Sequence, residues 1–195
     1  PFFNLLGFYD ADFEKAKKAA DVWGVRAFES YRKVFQERVD VVVVAVPDKF
    51  HYEVLQEVVG HDGIKVVVLE KPIADSFESA ERIDDLCRKR DVFVNFSRRF
   101  DTFVKDFFLE YKLKKYGEFL SGTGYYGKGF RHNASHIINL LQYLFDDRVE
   151  PVEKFSSHSD FYDNDPSISG LFRINDAAPF YLNYVDTHTY WIFEV

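Results

Sequence analysis

The sequence predicts an α/β protein in which a doubly wound parallel sheet is followed by an α+β domain with an open, mostly antiparallel sheet. Three observations carry this. As far as residue 99, short apolar runs alternate with stretches whose apolar residues recur at helical spacing, the order of βα units. The run VDVVVVAV at residues 39–46 is continuous rather than alternating, which marks a strand buried on both faces of a parallel sheet. From residue 152 onward apolar and polar residues alternate between turn signals such as Asp163-Asn164-Asp165-Pro166, the pattern of a half-exposed antiparallel sheet. The expected division is a nucleotide-binding domain at 1–99 and a substrate-binding and oligomerisation domain at 100–195.

The elements follow in order. Residues 4–9 (NLLGFY) form a short buried strand ending at Asp10. Residues 13–23 have helical spacing, and Gly24 closes them as a C-cap. A short helix is expected at 30–38, then the strand at 39–46, a helix at 49–59 and a strand at 64–69 (IKVVVL). A long amphipathic helix at 76–90 begins at Ser76, and a strand follows at 92–96. Beyond residue 99 the sequence predicts a helix at 103–115 and a glycine-bearing strand at 117–126. A helix at 133–145 carries the apolar stripe Ile137, Leu140, Leu141 and Leu144. Parallel strands joined by right-handed crossovers share one carboxyl edge, where ligands bind. No internal repeat or low-complexity linker interrupts the chain.

Composition narrows the function. Hydrophobic residues make up 47% of the 195, enough for a substantial core. The net charge of −7 and the absence of a basic stripe argue against nucleic acid, so the abundant Tyr and Phe are assigned to core and sheet. No apolar run is long enough for a membrane span, and no cationic-then-apolar leader is present. Cys87 is the only cysteine, which excludes an internal disulfide and suits a reducing, cytoplasmic setting. There is no methionine, so Pro1 is not the expected translation start.

The candidate site residues fall after the strands. Asp10 stands where an acid in a dinucleotide fold accepts from the adenosine ribose hydroxyls. It would repel a 2′-phosphate, which favours NAD without excluding NADP. Pro47 rigidifies the exit of the most apolar strand, and His51 lies in the first turn of the next helix. Glu70-Lys71-Pro72 follows the third strand, where a lysine can hydrogen-bond a substrate hydroxyl and help remove its proton. His132-Asn133-Ala134-Ser135-His136 opens the helix of the second domain. His132 and His136 are four apart, a spacing that suits a metal, but no third ligand accompanies them. Acid–base work fits better, because histidine as a residue type titrates near neutral pH.

The segment from Val46 to His51, then Glu70-Lys71-Pro72, then Asn95-Phe96-Ser97-Arg98-Arg99-Phe100, resembles the glucose–fructose oxidoreductase/inositol dehydrogenase family (Gfo/Idh/MocA) in order and spacing. The helix bearing Asn133, His136, Asn139 and Leu140 is similar to that family's catalytic helix. The resemblance implies a Rossmann domain joined to a domain with a large open sheet, through which members form dimers or tetramers. It implies Lys71 and His136 as catalytic residues, with Asp10, Pro47, His51, Glu70 and Lys71 around NAD and His132, Asn133 and His136 at the substrate. The implied reaction passes a hydride between nicotinamide and a hydroxyl of a sugar, inositol or nucleotide-sugar.

Three features depart from the family pattern. Many members carry aspartate four residues before the catalytic histidine, where this chain has His132; Asn133, Ser135 and His136 fit an Asn-Gly-Ser-His subgroup altered at Ala134. The first strand and glycine-rich loop are not found in the sequence, and the second domain is expected to be incomplete. A second reading is therefore a non-catalytic member that binds a sugar or a protein partner. A third, ranked last, is a metal-dependent hydrolase using His132 and His136.

Overall fold

The computed structural model describes residues 3–88, 90–146, 148–174, 178–186 and 193–194. The chain forms two compact units, Pro1–Asn95 and Phe96–Val195.

The first unit runs β1 (Gly7–Phe8), α1 (Phe13–Trp23), β2 (Arg26–Ala27), α2 (Tyr31–Val34), β3 (Val41–Val44), α3 (His51–Val59), β4 (Val66–Leu69), α4 (Phe77–Cys87) and β5 (Asp91–Val94). Local chemistry sets the helix ends. The Asp12 carboxylate accepts from the Glu14 N–H to open α1, and Gly24, at φ 64°, closes it by donating to the Ala20 carbonyl. Ser76 opens α4 by accepting from the Ser79 N–H. At the far end of α3 the Arg90 guanidinium donates to the carbonyls of Val59, His61 and Ile64, and so ties the helix end to the segment that leads into β4.

All strands of this unit pair in parallel, as one ladder of β1 with β2 and one sheet ordered β3-β4-β5. The register aligns Val42, Val67 and Val92 in one row and Val44, Leu69 and Val94 in another. Val67 and Leu69 from these rows are buried with Leu55 and Val58 of α3 and Ile83 of α4. The opposite face carries Val43, Val68 and Phe93. Val43 is 62% exposed and Phe93 60%. This corrects the expectation that residues 39–46 are buried on both faces, because the helices α3 and α4 cover only one. The strand expected at 4–9 is shorter, since its partner β2 offers only Arg26 and Ala27 to pair with. No apolar run announces β2 in the sequence.

The second unit contains α5 (Thr102–Lys112), β6 (Gly122–Tyr126), α6 (Ser135–Phe145), β7 (Val149–His158), β8 (Ser167–Ile174), β9 (Ala178–Tyr184) and β10 (Phe193–Glu194). Asp101 caps α5 by accepting from the N–H groups of Phe103 and Val104. The sheet is ordered β10-β6-β9-β8-β7, antiparallel except where β6 runs parallel to β9. Ile137 and Leu141 of α6 bury Tyr126, Phe172, Phe180 and Leu182 on one face. Tyr126 also ties its strand to β8, its hydroxyl donating to the Ile168 carbonyl at 2.7 Å. The helix expected from residue 133 starts earlier, with a π-helical turn at Phe130–Ala134 that leads into α6. Of the strand-like pattern expected from residue 152 to the end of the chain, residues 175–177, 187–192 and 195 lie outside the described residues.

Candidate active site

In the first unit, Asp10 lies two residues beyond β1 and is exposed. Its Oδ1 accepts from the Asp12 N–H at 2.8 Å, a turn that leads into α1. At the carboxyl ends of the three-stranded sheet, the Glu70 N–H donates to the Val44 carbonyl and the Asn95 N–H to the Leu69 carbonyl, extending both ladders one step. Asn95 then donates its side-chain amide to Glu70 Oε1 at 2.6 Å. Lys71 is half-buried, and its peptide bond to Pro72 is cis. Burial pulls its ammonium below the usual 10.5, against the opposing pull of the Glu70 carboxylate. A lysine so placed gives up its proton more readily than one in open water.

Pro47 leaves β3 and opens a single 3₁₀ turn, Asp48–Phe50, ahead of α3. His51 does not face outward from that helix start. It is 1% exposed, and its ring lies between two strand exits, with Nε2 2.9 Å from the Val46 carbonyl and Nδ1 3.1 Å from the Ile73 carbonyl. The structure thus draws the Pro47 loop and the Lys71-Pro72-Ile73 loop together through one buried imidazole. Asp10 stands apart from them, at the end of the β1–β2 ladder.

In the second unit the chain leaves β6 through Gly127, Lys128 and Gly129. Lys128 has φ 62° and Gly129 φ 91°. A Cβ on Gly129 would lie 2.3 Å from Asp165 Oδ2, so only glycine fits there. The turn is braced from the β7–β8 connection. Asp160 accepts from the Lys128 N–H at 2.8 Å and from the Ser167 hydroxyl at 2.9 Å, and Ser167 accepts from the Gly129 N–H at 2.9 Å. Asn133 donates its amide to the Gly127 and Lys128 carbonyls at 2.6 and 3.2 Å, so it holds the turn from inside.

Asp165, 1% exposed, caps the π turn. Its Oδ1 accepts from the Arg131 N–H at 2.8 Å, and its Oδ2 from the His132 N–H at 3.0 Å. Nδ1 of His132 lies 2.7 Å from the same Oδ2. The Tyr162 ring stacks on the imidazole, with centroids 3.9 Å apart and planes 13° from parallel. Burial alone would raise the Asp165 carboxyl, but the His132 ring, the two backbone donors and the Arg131 guanidinium outweigh it and hold the group below the usual carboxylate range. His136 sits one helical turn further on, edge-on to Phe96 with centroids 5.8 Å apart.

The sequence pointed to His132, Asn133 and His136 but read Asp165 only as part of a turn signal. Nothing local marks it, because it reaches its partner across 33 residues. Among the described residues no three His, Cys, Asp or Glu side chains gather as a metal site needs, and no helix is long and apolar enough to cross a membrane.

A parallel sheet with acid, amide and half-buried lysine at its carboxyl edge is the arrangement of a nucleotide-binding α/β fold. Residues 1–97 match the family model described as an oxidoreductase family with an NAD-binding Rossmann fold, and this part of the chain belongs to that Gfo/Idh/MocA family. Among solved structures it is similar to a myo-inositol dehydrogenase from Lactobacillus casei in complex with NAD(H) and myo-inositol, at 17% identity and TM-score 0.76 over 97% of this chain. It is also similar to the WlbA dehydrogenase from Bordetella pertussis in complex with NADH and UDP-GlcNAcA, at 20% identity and TM-score 0.77 over 96% of this chain. A third similarity is to a myo-inositol dehydrogenase from Corynebacterium glutamicum, at 18% identity and TM-score 0.76 over 95% of this chain. These likenesses establish the fold. The chain spans 62%, 61% and 62% of the lengths of those three proteins. No curated protein sequence matches it.

Proposed function

We propose that this chain serves an NAD-dependent dehydrogenase acting on a hydroxyl of a sugar, inositol or nucleotide-sugar. The observation that carries the reading is Lys71: a half-buried amine at the carboxyl edge of a parallel sheet, eased toward its neutral form by burial and flanked by the Glu70–Asn95 pair.

The donor set suits the ribose and nicotinamide ends of the cofactor. Asp10 offers a carboxylate to ribose hydroxyls, and Pro47, Glu70 and Lys71 line the strand ends beside one another. Among the described residues no glycine-rich turn opens a helix after a parallel strand, so the fit covers those two ends. When bound, nicotinamide supplies a hydride acceptor or donor. Lys71 hydrogen-bonds the reacting hydroxyl and lowers the cost of removing its proton. His136 exchanges that proton, and His132 and Asn133 contribute to holding the substrate. His51 acts on the cofactor through the two loops it joins rather than by touching it. Copies of the protein associate through the sheet face opposite α6, where Tyr125 and Tyr181 are exposed.

The test combines NADH binding with turnover on a panel of inositols, aldoses and nucleotide-sugars. The reading predicts NADH binding and NADH formation with at least one substrate, and a large loss of turnover in Lys71→Ala and in His136→Ala. Sugar binding with no nucleotide binding would instead identify a non-catalytic binding protein.

A further inference from the structure

The segment that opens the second unit is fixed to α6 at two points with matching spacing. Phe96 packs edge-on against His136, with ring centroids 5.8 Å apart and planes 88° from each other. Arg99, three residues on, donates through Nε to Oδ1 of Asn139 at 2.6 Å and through Nη2 to the Asn139 carbonyl at 3.5 Å. Asn139 likewise lies three residues beyond His136 in α6. Phe96 and Arg99 are joined to each other, because the Arg99 N–H donates to the Phe96 carbonyl at 3.2 Å across a single 3₁₀ turn, Ser97–Phe100. These four residues close a ring of contacts, so moving Phe96 along α6 has to break the Arg99 bonds. The guanidinium carbon also lies 5.6 Å from the centre of the Tyr143 ring, which stacks on Phe108 of α5 at 4.9 Å. A guanidinium presents neighbouring N–H donors in one plane, a fork that suits two oxygens of one residue and that an ammonium lacks. Perpendicular ring packing depends on orientation, and turning the imidazole about its Cβ–Cγ bond gives it up.

We propose that Arg99 is a positioning residue: by clamping the 97–100 turn to Asn139 it sets Phe96 against His136 and holds the imidazole in the orientation from which it exchanges the substrate proton. This rests on the dehydrogenase reading above and adds to it the groups that orient its histidine. Arg99 acts through Phe96 and takes no proton itself, since a guanidinium stays charged. A clamp that only fastens α5 and α6 together makes a different prediction, a loss of stability with turnover per active site unchanged.

The first test needs neither cofactor nor substrate. The Phe96 ring current displaces the ring-proton NMR signals of His136, and Phe96→Leu measures that displacement by removing it. Arg99→Ala should move the same signals in the same direction; signals that stay at their wild-type positions overturn the proposal. The second test is kinetic, on enzyme whose active fraction is counted by bound NADH. Arg99→Ala should lower kcat by roughly 10²-fold, the scale of a catalytic group displaced by about 1 Å, with KM changed only a few-fold. Because Arg99 acts through Phe96, the double variant Phe96→Leu/Arg99→Ala should lose no more than the worse single variant. Losses that multiply, or an unchanged kcat per active site in Arg99→Ala, overturn the proposal. Asn139→Asp keeps the Oδ1 acceptor and should recover most of the kcat that Asn139→Ala loses. If Arg99→Ala does not fold, Asn139→Ala, which breaks the same bond and leaves the guanidinium on Tyr143, carries both tests with the same outcomes. His136 signals that respond as expected in a wild-type protein without dehydrogenase activity overturn the catalytic role together with the dehydrogenase reading. They leave only the clamp standing, so the two failures are distinguishable.

Discussion

Nδ1 of His51 lies 3.1 Å from the carbonyl oxygen of Ile73, while the other ring nitrogen lies 2.9 Å from that of Val46. One buried side chain thus sets the spacing between the two loops that carry Pro47 and Lys71. His51→Ala removes both polar contacts and opens a cavity, for an expected loss of about 2–4 kcal/mol of stability in urea unfolding. NADH affinity should fall with it. A loss below about 0.5 kcal/mol, the scale of a surface change, would show that the loops hold their spacing without it.

Lys71 should lose its proton at lower pH than the exposed lysines of the chain, because burial opposes its charge. Glu70 pulls the other way, so Glu70→Gln should lower the Lys71 titration further. Reductive ¹³C-methylation followed by NMR titration reads both values. A Lys71 signal that titrates with the bulk lysines, or one that rises in Glu70→Gln, contradicts this account.

Asp165 should make stability depend on acid. Its folded carboxyl titrates below the ordinary 3.8, so its stabilising contribution is fully present above that value. The contribution is lost as pH falls from there through the folded titration. Asp165→Ala leaves His132 and two buried N–H groups without their acceptor, at an expected cost of about 3–5 kcal/mol near neutral pH. The variant should also lose part of the wild-type slope below pH 4, as followed by denaturant unfolding at a series of pH values. A variant that keeps the full slope would place the acid sensitivity elsewhere.

The two faces of the β3-β4-β5 sheet should respond differently to truncation. Leu69→Ala, beneath α3 and α4, should cost about 2–5 kcal/mol. Val43→Ala, on the face that is 62% exposed at that residue, should cost under about 1 kcal/mol. Equal losses in thermal or urea unfolding would mean that the Val43 face is covered in solution.

These contrasts show what a linear sequence carries. Strands β3 and β4 were legible because Val41–Val44 and Val66–Leu69 are apolar runs rich in β-branched residues, and Ser76 and Gly24 mark helix ends by their own side-chain or backbone chemistry. The place of Lys71 at a strand exit was legible because Glu70-Lys71 follows the Val66–Leu69 run. The exposure of Val43 was not, since it depends on which helices cover the sheet. The inward turn of His51 was not, because its partners Val46 and Ile73 lie on two different loops. Asp165 was hidden by its setting: Asn164-Asp165-Pro166 has the composition of a turn, and the second role of the carboxylate comes only from its long-range bond to His132.

The most direct test of the central claim is turnover of the purified full-length protein and its Lys71→Ala variant, each with NADH binding measured in parallel. The account predicts NADH formation from at least one cyclic polyol, aldose or nucleotide-sugar by the wild type. Lys71→Ala should lose about 10²–10⁴-fold in kcat, the range of a positioned acid–base group, while still binding NADH. A variant that binds NADH and turns over at the wild-type rate would contradict the account by removing Lys71 from the chemistry.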